Sequence, residues 1–361
     1  MAYAGDKPWH GLGNKLATPQ PIEMWKRQAG MDWMIEESEV RYITGNHTVG
    51  AIHSFPEQKV LYRSDTKRPL AVVSKRFQVV QTEEVLEFYR DLTEHAGFEL
   101  ETAGVLKEGR KFWALARTGQ STTLKGKDQV NGYLLLATAC DGSLATTAQF
   151  TSVRVVCNNT LAIALRGASA NAGVVKVPHS TKFDADSVKQ QLGISVRGWD
   201  EHMYEMKQLT QRKVSQSEAA AYFDAVFNNT TINPAINNSL QVSQAQQEDN
   251  IIQYYRDVAT QVKVEQNSNT QSISRSTKAK AEATIPNGKA MTKTMQMFNG
   301  QGRGAGLSSA KDTAYGLLCA MTEFVDHERR AMSTDHRLDS AWFGNGAALK
   351  QRSLEQALAL A

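Results

Sequence analysis

The stretch "YLLLATACDGSLATTAQFTSVRVVCNNTLAIAL", residues 133–165, decides how this chain is read. Asp141-Gly142 predicts a tight hairpin, because that pair supplies the positive φ which both central residues of a type I′ turn need. With those two residues as the loop, Cys140 pairs with Ser143 and the register runs outward from there. One face then carries Tyr133, Leu135, Ala137 and Ala139 against Phe150, Ala148, Thr146 and Leu144, an apolar set. The other carries Leu134, Leu136 and Thr138 against Gln149, Thr147 and Ala145, and is half apolar. Arg154 stands between valines at the end of the second strand. Asn158 or Asn159 suits a helix N-cap, its side-chain carbonyl accepting an orphan backbone N–H. Leu161, Ala162 and Leu165 supply the stripe of a short helix ended by Gly167. The stretch reads as hairpin, strand, helix.

Working outward, "DWMIEESEVRYI", "TVGAIHSF", "KVLYRSD" and "PLAVVSKRFQVV" are short β-branched runs separated by turn residues, and predict strands over 32–80. Thr82 is placed to cap a helix whose stripe is Val85, Phe88, Leu92 and Ala96. A strand pair follows, turning near Glu108-Gly109, with Lys111, Trp113, Leu115 and Arg117 on one face and Phe112, Ala114 and Ala116 on the other. Beyond the loop "GASANAG" the pattern becomes helical. Ser215 with Glu218 forms a capping box, and Ile251, Tyr255, Val258 and Val262 mark a further helix. A polar run rich in Ser, Thr, Asn, Lys and Gly then reads as a long loop or disordered segment. A last helical part carries Ala310, Ala314, Leu317, Met321 and Val325 on one face.

The predicted fold class is α+β: an N-terminal antiparallel sheet with packed helices and a mainly helical C-terminal half. The boundaries this implies are an α+β core over 1–180, a helical region over 181–264, a basic flexible linker or arm over 265–306 and a C-terminal helical segment over 307–361.

At 361 residues the chain has ample length for a core, with 41% hydrophobic and 22% charged residues, ordinary for a globular protein. No apolar run reaches the roughly 20 residues of a membrane-spanning helix. The N-terminus lacks the basic start and apolar core of a secretory signal, so a cytoplasmic location in the host cell is expected. Three cysteines without paired spacing point neither to a disulfide framework nor to a cysteine zinc site. The formal net charge is only +4, but residues 263–303 hold seven basic residues against Glu265 and Glu282. Local charge of that kind is a better electrostatic signal than a small global surplus.

Candidate chemistry is sparse. Glu323 and His327 lie one helical turn apart, yet neither a second histidine at zinc spacing nor partner ligands accompany them. Helix-surface pairing with Arg329 and Arg330, or contact with a neighbouring element, accounts for them, and neither metal nor cofactor is expected. "NGQGRGAGLSSAKDT" (299–313) resembles a phosphate-cradling loop, but its lysine is not followed by Ser or Thr and the lead-in is polar. It is better read as a flexible loop before a helix N-terminus, with Arg303 available to a phosphate backbone. "VSKRFQVV" and "EGRKFWALAR" set cations beside aromatic rings, the combination single-stranded nucleic acid calls for.

Several pieces together, "PWHGLG", "GRKFWALAR", the 134–165 block, "TAYGLLCAMTEFVDH" and "SAWFGNGAALKQRSLEQAL", resemble the phage- and plasmid-borne proteins grouped as domain of unknown function 932. That resemblance implies a genetic setting close to phage recombination and early-transferred plasmid genes. By analogy of fold, the hairpin–strand–helix core is similar to the core of single-strand annealing proteins. The expectation is therefore a non-enzymatic, homo-oligomeric ring or filament that binds single-stranded DNA and promotes annealing. Lys75, Arg76, Arg110, Lys111 and Arg154 neutralise phosphates in this reading, with a salt bridge or a snorkelling strand residue the equal alternative for Arg154, while Lys278, Lys280, Lys289, Lys293 and Arg303 serve a clamping arm. The rival expectation is an interaction protein that binds a host factor through its helical C-terminal half.

Overall fold

The computed structural model describes residues 1–5, 7–8, 10–45, 50–156, 159–162, 173–192, 196–230 and 288–361. One large sheet runs in the order β10 (Asn159–Ala162), β9 (Thr146–Arg154), β8 (Gln129–Ala139), β7 (Lys111–Thr123), β6 (Glu99–Leu106), β1 (Ala2–Ala4) and β2 (Asn14–Leu16). β11 (Val174–Val177) pairs with the first half of β9, and β10 with its second half. A smaller sheet holds β3 (Ile35–Gly45), β4 (Gly50–Arg63) and β5 (Pro69–Ser74) in that order. The α+β class is as expected.

The large sheet is buried on both faces because its strands alternate one apolar set with another. Trp113, Leu115, Tyr133 and Leu135 pack under the C-terminal helices, against Trp199, Met203, Phe223, Leu317, Trp342 and Leu354. Phe112, Ala114, Ala116, Leu134 and Leu136 face the N-terminal layer, where Trp25, Trp33, Leu61, Phe88 and Tyr89 complete a second core. Both rings of "GRKFWALAR" are interior: Phe112 is 1% and Trp113 0% exposed. The core under the C-terminal helices is continuous across residues 181 and 307, since each side supplies part of it.

Three details depart from the sequence reading. The β8–β9 connection is longer than two residues, and Ala137 pairs with Thr147 in place of Thr146. Gly142 has a positive φ, but Asp141 instead accepts the Ser143 backbone N–H on its side chain, an Asx turn that shifts the register by one. The expected helix after Arg154 begins as a strand. Asn159 opens β10 and pairs with Arg154, so it is no helix cap, and Asn158 lies outside the described residues. Thr160 and Leu161 suit a pleated edge, and β10 runs antiparallel back along β9. Residues 159–162 of the expected helix are therefore strand, and the rest of it, 163–167, lies outside the described residues.

The third departure is the basic segment. Residues 288–303 are ordered: a helix, Gly288–Gln296, continues into a single wide turn, Met297–Gln301. Met297 and Phe298 anchor it in the core at 2% and 5% exposure. The lysines and threonines that precede these anchors hide them from a composition-based reading. The helix predicted around Ile251–Val262 lies outside the described residues.

Other elements follow their local signals. Ser215 and Glu218 make the reciprocal capping box at the start of Gln216–Asn228. Before Thr82–Glu87 the box is made by Gln81 and Glu84, one residue earlier than expected, because the Thr82 hydroxyl is drawn inward to the carbonyls of Met31 and Trp33. No helix among the described residues is long and apolar enough to cross a membrane.

His202, on the helix Val196–Gln211, is buried beneath β9 with Nε2 3.4 Å from Ser152 Oγ. Burial pushes its pKa down to about 4. The folded chain keeps the ring neutral while the unfolded chain takes up a proton near the ordinary value, so stability falls as pH drops from 6.5 toward 4. Urea denaturation at pH 7 and pH 4 should show a loss on the order of 2–3 kcal/mol from this group, and His202→Gln should shrink that difference.

Candidate nucleic-acid interface

The site is built around a buried ion pair. Arg154 is the last residue of β9 and pairs across to Val130 on β8. Asp128, two residues before Val130, closes the β7–β8 turn, where Leu124 N–H donates to its carbonyl at 2.9 Å. The observed register thus sets Asp128 diagonally opposite Arg154, within reach of a long side chain. Arg154 Nε donates to both Asp128 oxygens at 2.8 and 3.0 Å, and a terminal nitrogen donates at 2.7 Å. Arg154 is 4% exposed and Asp128 0%. The guanidinium also lies 5.4 Å from the Tyr315 ring centre.

This pair fastens the loop between Gly302 and Asp312. Ser309 donates its hydroxyl to Asp128, and Arg154 donates to the Gly304 carbonyl at 3.3 Å. Gly304 has φ +68, and a Cβ there would meet Val156 at 2.7 Å and the Arg154 guanidinium at 3.2 Å. Only glycine lets the loop come this close. A small cavity of about 30 Å³ beside Arg154, Ser152 and Thr322 has room for about one water.

The helix after the loop, Ala314–Glu323, is wholly buried, and its N-terminus is satisfied from within. Thr313 accepts the Gly316 N–H, and the Ala314 N–H donates to the Arg212 carbonyl. That helix end is therefore not offered to a phosphate, contrary to the reading of the glycine motif. Glu323 accepts the Arg303 backbone N–H at 2.8 and 3.0 Å, and burial pushes its pKa up. Its helical neighbour His327 meets the Arg303 side chain at 3.1 Å, while Asp326 accepts from Lys350 at 2.9 Å. These acids contact neighbouring elements, the loop and the last helix, the second of the two expected arrangements.

The expected phosphate contacts separate. Arg154 is consumed by Asp128. Lys111 is 5% exposed and donates to Asp339 at 2.6 Å, a carboxylate it shares with Lys107. Neither can reach a phosphate, because both face acids in the low-dielectric interior. Lys75 and Arg76 are exposed just beyond β5, beside Glu57. Arg110 is exposed next to Gly109, which packs on Arg63 at the far end of β4. Six steps along the strand, from Glu57 to Arg63, separate these points, about 20 Å, so the three do not form one track. Lys289 is exposed on its helix, Lys293 pairs with Glu328 at 3.3 Å, and Lys278 and Lys280 lie outside the described residues.

A different group of cations does converge. Lys125 and Lys127 flank Gly126, where an added Cβ would touch Ser308 of the loop at 3.3 Å. Lys213 donates to the Lys311 carbonyl at 2.7 Å, and Arg303 sits at the loop's start, 54% exposed at the side chain. Lys125, Lys127, Lys213 and Lys311 are exposed, with no ion-pair partner among the described residues, and Asp312 is the acid on the loop itself. Of these five cations the sequence reading singled out Arg303 alone. The others stand far apart in the chain, and the only available signal was an Asp128 trailing two lysines in a turn.

The family profile described as a domain of unknown function (DUF932) matches residues 69–342. The chain belongs to the DUF932 family. No curated protein and no solved structure matches it. The family match spans the ion pair, the loop and every cation of the loop rim.

Asp128→Asn leaves Arg154 buried without its counter-charge and should cost about 3–5 kcal/mol. The double variant with Arg154→Met should lose less than the sum of the single variants in denaturant titration. Trypsin should cut at Arg303 faster in Asp128→Asn than in the parent chain.

Proposed function

We propose that this DUF932 protein is a non-enzymatic nucleic-acid-binding protein that holds the phosphate backbone along the rim of the 302–312 loop. The observation that carries the reading is the convergence of Lys125, Lys127, Lys213, Arg303 and Lys311 on one surface, with four of the five unpaired among the described residues. Cations spaced along a rigid rim displace counterions from a polyanion without reading its sequence. Val155 and Val156 stand 50% and 42% exposed beside this rim, and Val156 touches the loop at Gly304. They favour a single strand, whose bases offer apolar faces that a duplex hides. Phe112 and Trp113 offer no ring for stacking, since both are interior. Annealing of single strands, in a phage or mobile-element setting, is the activity such a surface would serve.

A second reading, an interaction protein that binds a host factor, draws on another observation. The apolar faces of the C-terminal helices are spent on the large sheet, but Tyr42, Ile43, Ile52 and Phe55 are exposed on a ribbon elsewhere.

Fluorescence anisotropy with a labelled oligonucleotide across a salt series tests the first reading. Replacing Lys125, Lys127, Lys213 and Lys311 with Gln should weaken binding and lower the log K against log salt slope by about 3, at about 0.7 per phosphate contact for single strands. Lys7→Gln with Lys15→Gln, near the opposite edge of the large sheet, should leave both unchanged. No binding at low salt, or a slope indifferent to the four substitutions, sinks the reading. Equal affinity for duplex removes the preference for single strands.

A further inference from the structure

The smaller sheet does not end where its third strand ends. β5 covers β4 only between Gln58 and Tyr62, and the β3–β4 pair continues past it to Gly45 and Gly50. At the point of departure the register jumps. Glu39 pairs with Lys59 but Val40 with Phe55, so Pro56, Glu57 and Gln58 bulge from β4. Proline cannot donate to a ladder and is tolerated at a bulge of this kind. Above it stands a two-stranded ribbon, and neither core includes any of its described residues.

Both faces of this ribbon are bare. Directly opposed residues share a face, so Ile43 and Ile52 form one apolar pair, 69% and 66% exposed. On the other face Tyr42, 49% exposed, stacks on His53 with ring centres 5.2 Å apart, and Phe55 is 40% exposed. A two-stranded ribbon alone in water is marginal, and exposed apolar side chains on both of its faces mark a contact surface. Residues 40–55 contain one formally charged side chain, Arg41, which pairs with Glu39 at 3.2 Å. So uncharged a segment has little to offer a polyanion and suits contact with protein.

We propose that the ribbon is an arm exchanged between two copies of this chain. Area decides the occupant. Six residues per strand make each face roughly 20 Å by 10 Å, so both faces together expose roughly 400 Å² of arm. One arm laid on an unrelated partner would bury about 800 Å² in all, the scale of a crystal contact. Two arms exchanged about a two-fold axis bury about 1,600 Å², the standard size of a stable interface. Reciprocity therefore supplies what a single arm cannot. The inference is independent of the nucleic-acid reading, since no cation of the loop rim belongs to the arm.

Sedimentation velocity of the full chain reads this directly. The parent chain should run near twice 39.9 kDa at micromolar concentration. Ile43→Asp with Ile52→Asp should raise the dimer dissociation constant by about 100-fold or more, without a change in far-ultraviolet circular dichroism. A second variant, with residues 42–53 replaced by Asn-Gly, should be monomeric and folded, because the shortened segment lies outside both cores. Tyr204→Asp, an exposed apolar site on another element, should remain dimeric. A parent chain that stays monomeric up to about 100 μM, where an interface of standard size is populated, overturns the proposal and leaves the arm to a different protein. A dimer that persists in either arm variant overturns it as well.

Discussion

The buried contact between Arg154 and Asp128 is the constraint on which the candidate surface depends. A guanidinium and a carboxylate removed from water lose solvation worth several kcal/mol per ion, and their attraction repays this only with good geometry and every remaining hydrogen bond filled. Three donor contacts join the pair, and Ser309 and the Gly304 carbonyl take up what is left. Such a pair adds little net stability compared with a well-packed apolar pair. Its effect is to place parts of the chain. One β-turn, one strand end and a loop about 150 residues away are held in a single arrangement, and the exposed lysines follow from it.

The same logic sorts the basic residues of the whole molecule. Lys111 with Asp339, Lys350 with Asp326 and Arg154 with Asp128 are each nearly inaccessible and each face an acid. A cation enters a low-dielectric core only with its counter-charge, so none of these three charges reaches a ligand. Charges left to act on a partner must come from turns and loops that the core never covers. Lys125, Lys127, Lys213 and Lys311 come from such places. The two-faced burial of the large sheet is the reason, because a sheet with helices on one side and a second layer on the other has no open face to carry a binding groove.

Much of the fold was legible in residue patterns. The alternation in "KFWALAR" separated two faces, and both are core. The Ser215–Glu218 box began a helix where its chemistry said it should, and the α+β class followed from strands early and helices late. What failed did so for identifiable reasons. Asp141 used its side chain for an Asx turn, which lengthened the hairpin loop and moved every β8–β9 pair by one residue. An asparagine before Thr160 suits a helix cap, and only the open edge of β9 drew Asn159 into a strand. Met297 and Phe298 were lost among lysines and glycines, though two large apolar residues suffice to pin a short segment onto a core.

The amino-acid order alone determined the elements whose signals are local: strand alternation, caps, turn chemistry and the excess of positive charge after residue 263. Tertiary structure decided which charges remain available. An arginine between valines reads the same whether it meets a phosphate or an aspartate, because the difference lies in a partner 26 positions away and in one residue of register. The bare ribbon beyond Pro56 was likewise decided in three dimensions, since its strands look like any others until the neighbouring strand stops short of them.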